Sequence, residues 1–319
     1  MLAVLVGPRP GVPPAPETTP IGRAALALAG EGIDVGFTAD GVSFLGARPG
    51  GWRTVQPHRI RAAQDRFPSQ TWPQAYRQAL AALGRPPLGN PESITLLCRD
   101  KLATQDWLQD LVAMPAVEGS PRCFRATLED WGEAFLKPRY GAMGRGIRRV
   151  VPGDALPRRV EGAVRGVLEP TFLQRAVPAP PTGAIAVRQL IQRLPAGGWI
   201  QLPGVARVAP AGEPVANVSK GAVARPADEV LDVGCLAEIK IQTARVARAL
   251  ADHTDGDWAL EAGVDFAIDP DGHPHLLEVN SRPRGRLEAL ALSDPDRWHD
   301  AHVDACARPL RRLHALSSR

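Results

Sequence analysis

Four cysteines stand in the 319-residue chain, Cys98, Cys123, Cys235 and Cys306, far apart and with no CxxC pair or Cys/His spacing. That excludes a zinc ribbon and a disulfide frame, and it points to free thiols in a reducing, cytoplasmic setting. Aromatic residues are scarce, at 5%, and the basic residues are scattered. The stacking platforms and basic stripes of a nucleic-acid binder are therefore missing. The 38 basic and 34 acidic residues leave a formal charge of +4. Such an excess suits an anionic ligand and is too small to argue for nucleic acid. No apolar run approaches the roughly 20 residues a membrane span needs. The opening Met1-Leu-Ala-Val-Leu-Val-Gly7 lacks a positive flank and is cut short by Gly7, Pro8 and Pro10. It reads as a first strand and not as a signal peptide.

What is present is ordinary for a soluble globular chain, with 44% hydrophobic and 23% charged residues. The 31 glycines and 32 prolines are spread among apolar runs and mark turns. Residues 1–90 alternate strand patterns (Leu2–Val6, Ile33–Phe37, Val42–Leu45) with helix patterns (Ile21–Ala29, Gln70–Leu83), which predicts a small α/β domain. It holds no Gly-rich phosphate fingerprint. Within it, Asp65-Arg66-Phe67-Pro68 reads either as a structural ion pair or as a substrate contact. Gly84–Asn90 reads as a linker and Ile94–Leu97 as a short strand. Asp100 is placed to cap a helix over Lys101–Leu111. Lys101, in the first turn, opposes the helix dipole, so an anion-binding role stands beside that of a solvated lysine.

Phe135-Leu-Lys-Pro-Arg-Tyr-Gly-Ala-Met-Gly-Arg-Gly-Ile-Arg-Arg-Val-Val151 reads as strand, Gly-rich loop and strand. It is neither a P-loop, lacking Gly-Lys-Ser/Thr, nor a Rossmann turn, since no helix follows. Lys137, at the end of a strand entering that loop, is placed to neutralise a phosphate, with glycine amides near its oxygens; a flexible hairpin is the other reading. Phe172–Val177, Ala184–Arg193 and Trp199–Val208 read as strands, the second with Arg188 on a mostly apolar face and the third with Arg207. An arginine so placed needs an anionic partner. Asn217-Val-Ser-Lys-Gly221 is a polar loop. Val230–His253 and Pro295–Leu316 are helical patterns. His299, His302 and His314 on the latter read as surface histidines and not as metal ligands.

Residues 262–285 form the stretch richest in chemistry. The run around Val264 and Phe266, a turn at Asp269-Pro-Asp-Gly272 and the run Leu276–Val279 predict a hairpin carrying Asp265, Glu278 and Asn280. Glu278 and Asn280 share a face because side chains alternate along a strand. Two carboxylates and an amide make an all-oxygen set of the kind magnesium prefers. The alternative is a solvated polar face.

Together, Arg-Asp-Lys101-Leu-Ala-Thr, Lys137-Pro-Arg-Tyr-Gly-Ala-Met-Gly-Arg-Gly, and Asp265 with Glu278-Val-Asn280 resemble the ATP-grasp superfamily of glutathione synthetase, D-alanine–D-alanine ligase and RimK-type ligases. Asp65-Arg-Phe-Pro through Asn90 to Lys101, with Arg207 and Asn217-Val-Ser-Lys-Gly221, resembles its YheC/YheD branch. The resemblance implies an α/β (α+β) fold with two subdomains clasping ATP: residues 91–173 and 174–319, after the N-terminal domain of 1–90. It implies that Lys101 and Lys137 bind ATP phosphates. Gly141, Ala142, Met143, Gly144 and Gly146 would form the loop over them, with Gln174, Arg175 and Ala176 at the adenine. Asp265, Glu278 and Asn280 would hold two Mg2+ ions. Arg188, Arg207, Asn217 and Arg282 would meet the reacting carboxylate and the transferred phosphoryl group, although Ala186 stands where the motif of Arg188 has an aspartate. The implied activity is an ATP-dependent carboxylate–amine ligase working through an acyl-phosphate and releasing ADP and phosphate. A small-molecule kinase and a non-catalytic coat or assembly protein are the alternatives. Expected partners are small-molecule or peptide carboxylates and amines, without nucleic acid or membrane, with the chain as a homodimer.

Overall fold

The computed structural model describes residues 1–7, 19–56, 59–69, 71–141, 145–156, 161–164, 167–216, 221–283 and 287–318. The first elements are β1 (Leu2–Leu5), α1 (Pro20–Gly30), β2 (Val35–Thr38), β3 (Phe44–Arg48), β4 (Gly51–Val55), β5 (Ala62–Asp65), α2 (Pro73–Ala82) and β6 (Leu88–Gly89). Next come α3 (Glu92–Arg99), α4 (Lys101–Leu108), β7 (Val117–Glu118), α5 (Phe124–Trp131), β8 (Ala134–Pro138), β9 (Arg148–Val150), β10 (Glu161–Val164) and β11 (Val167–Arg175). The rest are β12 (Ile185–Leu194), β13 (Gly197–Gln201), β14 (Val205–Val208), β15 (Val223–Pro226), α6 (Val233–Asp252), β16 (Glu261–Ile268), β17 (Pro274–Asn280), α7 (Glu288–Ser293) and α8 (Pro295–Ser317).

Three sheets result. The first runs β4-β3-β2-β1-β5-β6, with β1 parallel to both β2 and β5. A strand covered on both faces must be apolar throughout, and Leu2-Ala-Val-Leu5 is fully buried. The second runs β10-β11-β8-β9, with β7 added to β11. The third runs β15-β14-β12-β16-β17, with β13 added to β12, and all its pairings are antiparallel.

Packing ties these layers together across the sequence. Ile239, Val246 and Leu250 of α6 lie against Val187, Ile191, Val264, Phe266 and Val279 of the third sheet, and Ile94, Cys98 and Leu108 of α3 and α4 join the same core. Cys306, Ala307, Leu310 and Leu313 of α8 complete the core of the first sheet with Leu2, Val4 and Leu28. The C-terminal helix therefore docks onto the N-terminal sheet.

Three local expectations are corrected and one strand, β4, is added to them. Ile94–Leu97 lies inside helix α3, where Ile94 and Cys98, four residues apart, are buried and Leu96 faces solvent. Trp199–Val208 splits into β13 and β14 around Pro203-Gly204, where the proline has no N–H for the ladder. β4 pairs with β3 across Pro49-Gly50, and both Gly50 and Gly51 take positive φ. The segment Gly84–Asn90 contains β6, which pairs with β5. No helix among the described residues is long and apolar enough to cross a membrane.

Candidate functional site

The third sheet brings five of the expected residues onto one face. Arg188 on β12 stands opposite Asp265 on β16, and Asp265 stands opposite Glu278 on β17. Arg207 on β14 is opposite Ala186, two residues from Arg188. The intervening Val187, Val264 and Val279 point the other way, into the core. A register shift lies between Asp265 and Phe266, since Phe266 pairs with Leu276 and Asp265 with Glu278. Leu277 is thus an extra residue in β17. In unbroken register it would face Asp265; the bulge puts a carboxylate there instead.

Asp265 is 3% exposed, and its carboxylate accepts four hydrogen bonds. Arg188 donates from Nε to Oδ1 at 2.9 Å and from Nη2 to Oδ2 at 2.6 Å. Arg207 donates from Nη2 to Oδ1 at 3.1 Å, and Asn280 donates from Nδ2 to Oδ2 at 2.9 Å. Asp265 raises the pKa of Arg188, outweighing the opposing effect of burial. Arg207 keeps a buried Nε with no partner among the described residues. Such a donor is costly unless an acceptor arrives, and it sits beside the carboxylate face.

The lysines come from elsewhere in the chain. Lys137 is on β8, and its ammonium donates to Oε1 of Gln174 on the neighbouring β11. Burial pulls the Lys137 pKa down to about 8, opposed by the nearby Glu278 carboxylate and reinforced by the Lys101 ammonium. One amine from the second sheet therefore feels both a carboxylate from the third sheet and the lysine at the start of α4. Lys101 donates through Nζ to the carbonyl of Gly141. Its helix is held by Asp100, whose Oδ1 accepts from the amides of Leu102 and Ala103 at 3.2 Å each. The same carboxylate takes a two-pronged contact from Arg139, Nε and Nη2 at 2.7 Å each. Asp100 thereby ties the start of α4 to the end of β8, fixing Lys101 near Lys137.

Other expectations fall differently. Gly141 and Gly146 are described, Gly146 with φ of +71°; Ala142, Met143, Gly144 and Asn217 lie outside the described residues. The amide of Arg175 donates to Ala116 O at 2.8 Å and that of Ala176 to Glu133 O at 3.2 Å, so neither N–H is open to a purine. The Arg282 guanidinium pairs with Asp65 at 2.7 Å. Asp65 and Arg66 are accordingly ion-paired residues, Arg66 with Glu261 at 3.3 Å. His299 contacts Arg23 and His314 contacts Arg61, whereas His302, expected at the surface, is buried at 6% exposure on the packed face of α8. Asp269, Asp271 and His273 at the hairpin turn place ligand-type atoms within 4.8 Å of one another. Asp269 spends Oδ1 on the turn, accepting from the amides of Asp271 and His273 at 3.0 and 2.8 Å.

The donor set at Asp265, Glu278 and Asn280 fits a hard divalent cation. The Asn280 NH2 lies between the two carboxylates, 2.9 Å from Asp265 and 3.0 Å from Glu278, where positive charge is favoured. Amide oxygen and nitrogen exchange places by rotation, which would give three oxygen donors. Because Asp265 is already engaged by two arginines, Glu278 and Asn280 are its freer members.

Residues 173–297 match the family model described as YheC/D like ATP-grasp. No curated protein matches the sequence. Among solved structures, the chain resembles a D-cycloserine synthetase with a TM-score of 0.57 and 18% identity, over 100% of this chain and 99% of that one. It also resembles D-alanyl-alanine synthetase A from Vibrio cholerae, with a TM-score of 0.59 and 15% identity over 97% and 98% of the chains. A third similar structure is an ATP-grasp ligase complexed with a minimal precursor, Mg and ADP, with a TM-score of 0.55 and 16% identity over 99% and 98%. At these identities the shared property is the fold, which these structures match over nearly the whole chain.

Proposed function

We propose that this chain, an ATP-grasp protein whose residues 173–297 carry the YheC/D-like match, is a magnesium-dependent ligase that joins a carboxylate to an amine at the expense of ATP. The observation that carries this reading is the face where Asn280 joins the Asp265 and Glu278 carboxylates at 2.9 and 3.0 Å, with Lys137 close enough to Glu278 and Lys101 to feel both charges. Phosphoryl transfer needs little covalent help; it needs cations placed on the phosphates and on the charge that develops. Lys101 and Lys137 take the phosphate oxygens. Asp265, Glu278 and Asn280 would hold the metal, which would supply charge neutralisation at the phosphates. Arg188 and Arg207 orient the acceptor carboxylate and the transferred group, Arg207 through its unpartnered Nε.

In this reading a carboxylate oxygen of the substrate attacks the γ-phosphorus, and the bond to the bridging oxygen breaks to leave ADP and an acyl-phosphate. An amine then attacks the acyl carbon, phosphate leaves, and the amine gives up a proton to form the amide. The test is an ADP-release screen over amino acids and short peptides, with mass spectrometry of the products. Equal ADP and phosphate with a new amide mass is the expected result. Absence of ADP release with every mixture, in folded protein that binds ATP, overturns the ligase reading, and a stable phosphorylated product replaces it with a kinase.

A further inference from the structure

Among the described residues, β17 is the outermost strand of the third sheet, paired with one strand, β16. It nevertheless carries both Glu278 and Asn280. A strand edge frays unless something holds it, and a metal ligand must keep its orientation. Before the ligands, β17 is held by the Leu276 amide, which donates to Ala113 O at 2.8 Å; beyond Asn280, the restraint comes from the N-terminal part of the chain.

Three consecutive residues directly after Asn280 are each held by a different N-terminal side chain. The carbonyl of Ser281 accepts from Asn90 Nδ2, which also donates to Glu261 O on β16 at 2.7 Å. The guanidinium of Arg282 pairs with Asp65 Oδ2 at 2.7 Å. The carbonyl of Pro283 accepts from Arg66 Nη2 at 3.3 Å. Asp65 is itself immobilised: Oδ1 accepts from the Phe67 amide at 2.9 Å and Oδ2 from the Tyr76 hydroxyl. Its side chain has no solvent exposure, and the Arg282 guanidinium lies 5.9 Å from the centre of the Tyr76 ring. Asp65 ends β5 and Asn90 directly follows β6. The C-terminal ends of two neighbouring strands in the first sheet thus grip the end of β17.

We propose that Asp65, Arg66 and Asn90 are positioning residues for the metal site: by fixing Ser281, Arg282 and Pro283 they set the orientation of Asn280 and Glu278. Arg282 is the handle they hold and not a substrate contact. This rests on the magnesium–nucleotide reading of the face formed by Asp265, Glu278 and Asn280. Loss of an outer partner of a ligand weakens metal binding by about 10- to 100-fold.

The test is calorimetric titration of the full chain with AMPPNP across a magnesium series, for wild type, Asp65→Asn, Arg282→Gln and Arg282→Lys. The expected result is a rise of about 10- to 100-fold in half-saturating magnesium for Asp65→Asn and Arg282→Gln, partly recovered in Arg282→Lys. A lowered melting temperature with unchanged half-saturating magnesium overturns the proposal, because a merely structural contact gives that pattern. If Asp65→Asn does not fold, Tyr76→Phe, which removes one hydrogen bond to Asp65 and no charge, decides. A smaller shift in the same direction supports the proposal, and no shift overturns it. Wild-type protein that binds AMPPNP with no magnesium dependence removes the underlying site reading, an outcome distinct from normal wild-type dependence with unaffected variants.

Discussion

Arg188 and Asp265 face each other across adjacent strands and share two hydrogen bonds, of 2.9 and 2.6 Å, in a site where the aspartate side chain is 5% exposed. A carboxylate so desolvated is tolerated because the guanidinium matches it at both oxygens. Arg188→Met strips that match and leaves Asp265 with Arg207 and Asn280. The expected loss in unfolding free energy is about 3 kcal/mol, toward the low end for breaking a buried pair. Denaturant titration measures it, and a loss below about 0.5 kcal/mol, as at an ordinary surface site, contradicts this account of the pair.

In the proposed function, Lys137 gives the nucleotide site a pH dependence. Burial lowers its pKa to about 8 in the free protein, and phosphate favours the ammonium form, so ATP raises the value again. The ammonium contribution to affinity is complete below about pH 8 and is lost as pH rises through 8. Titration of Mg-ATP binding between about pH 7 and about pH 9.5 should show affinity falling by up to tenfold per unit in the upper half of the range. A flat profile contradicts it. The free protein behaves in the opposite sense: the unfolded lysine titrates near the ordinary lysine value of 10.5, so between about 8 and 10.5 the unfolded state binds more protons and stability rises with pH.

Asp100 serves two partners, the first amides of α4 and the Arg139 guanidinium. Burial pushes its pKa up, and Arg139 together with those amides pulls it below the ordinary carboxylate range. Its contribution to stability is therefore present above the usual carboxylate pKa and is lost as pH falls through the lowered value. Asp100→Ala removes the cap, at about 1 kcal/mol, and releases Lys101 from its place beside β8. Weaker ATP binding should accompany the lower melting temperature. An unchanged nucleotide affinity would show that Lys101 does not need this anchor.

Glu278 is the less engaged carboxylate of the metal set, its one described hydrogen bond coming from Asn280. Glu278→Ala should abolish the magnesium dependence of thermal stabilisation by ATP, whereas wild type at 100-fold excess over Kd gains about 2.7 kcal/mol. The substitution also removes the charge that raises the Lys137 pKa, so the pH at which affinity declines should move lower. Equal stabilisation of wild type and variant would remove Glu278 from the site.

The hairpin was legible because its signals are local: alternating residues on two runs around Asp269-Pro-Asp-Gly272 produce β16 and β17. The Asp100 cap and the start of α4 were legible for the same reason. The bulge at Leu277 was not, since nothing in Leu276-Leu277-Glu278 announces which residue drops out of register. Ile94–Leu97 misled because a short apolar run fits strand and helix alike, and only burial of Ile94 and Cys98 decides. Arg282 was visible as a charge beside the metal residues, but its partner Asp65 is supplied by a distant strand. The convergence of Lys137 on Glu278 likewise arises between sheets, where no spacing rule reaches.

The most direct measurement is an experimental structure of the chain with AMPPNP and magnesium. The account predicts one triphosphate with the Lys101 and Lys137 ammonium groups on its oxygens and with Glu278 and Asn280 holding a magnesium ion at the same site. A nucleotide bound elsewhere, or phosphates that engage neither lysine while Glu278 binds no metal, would contradict it.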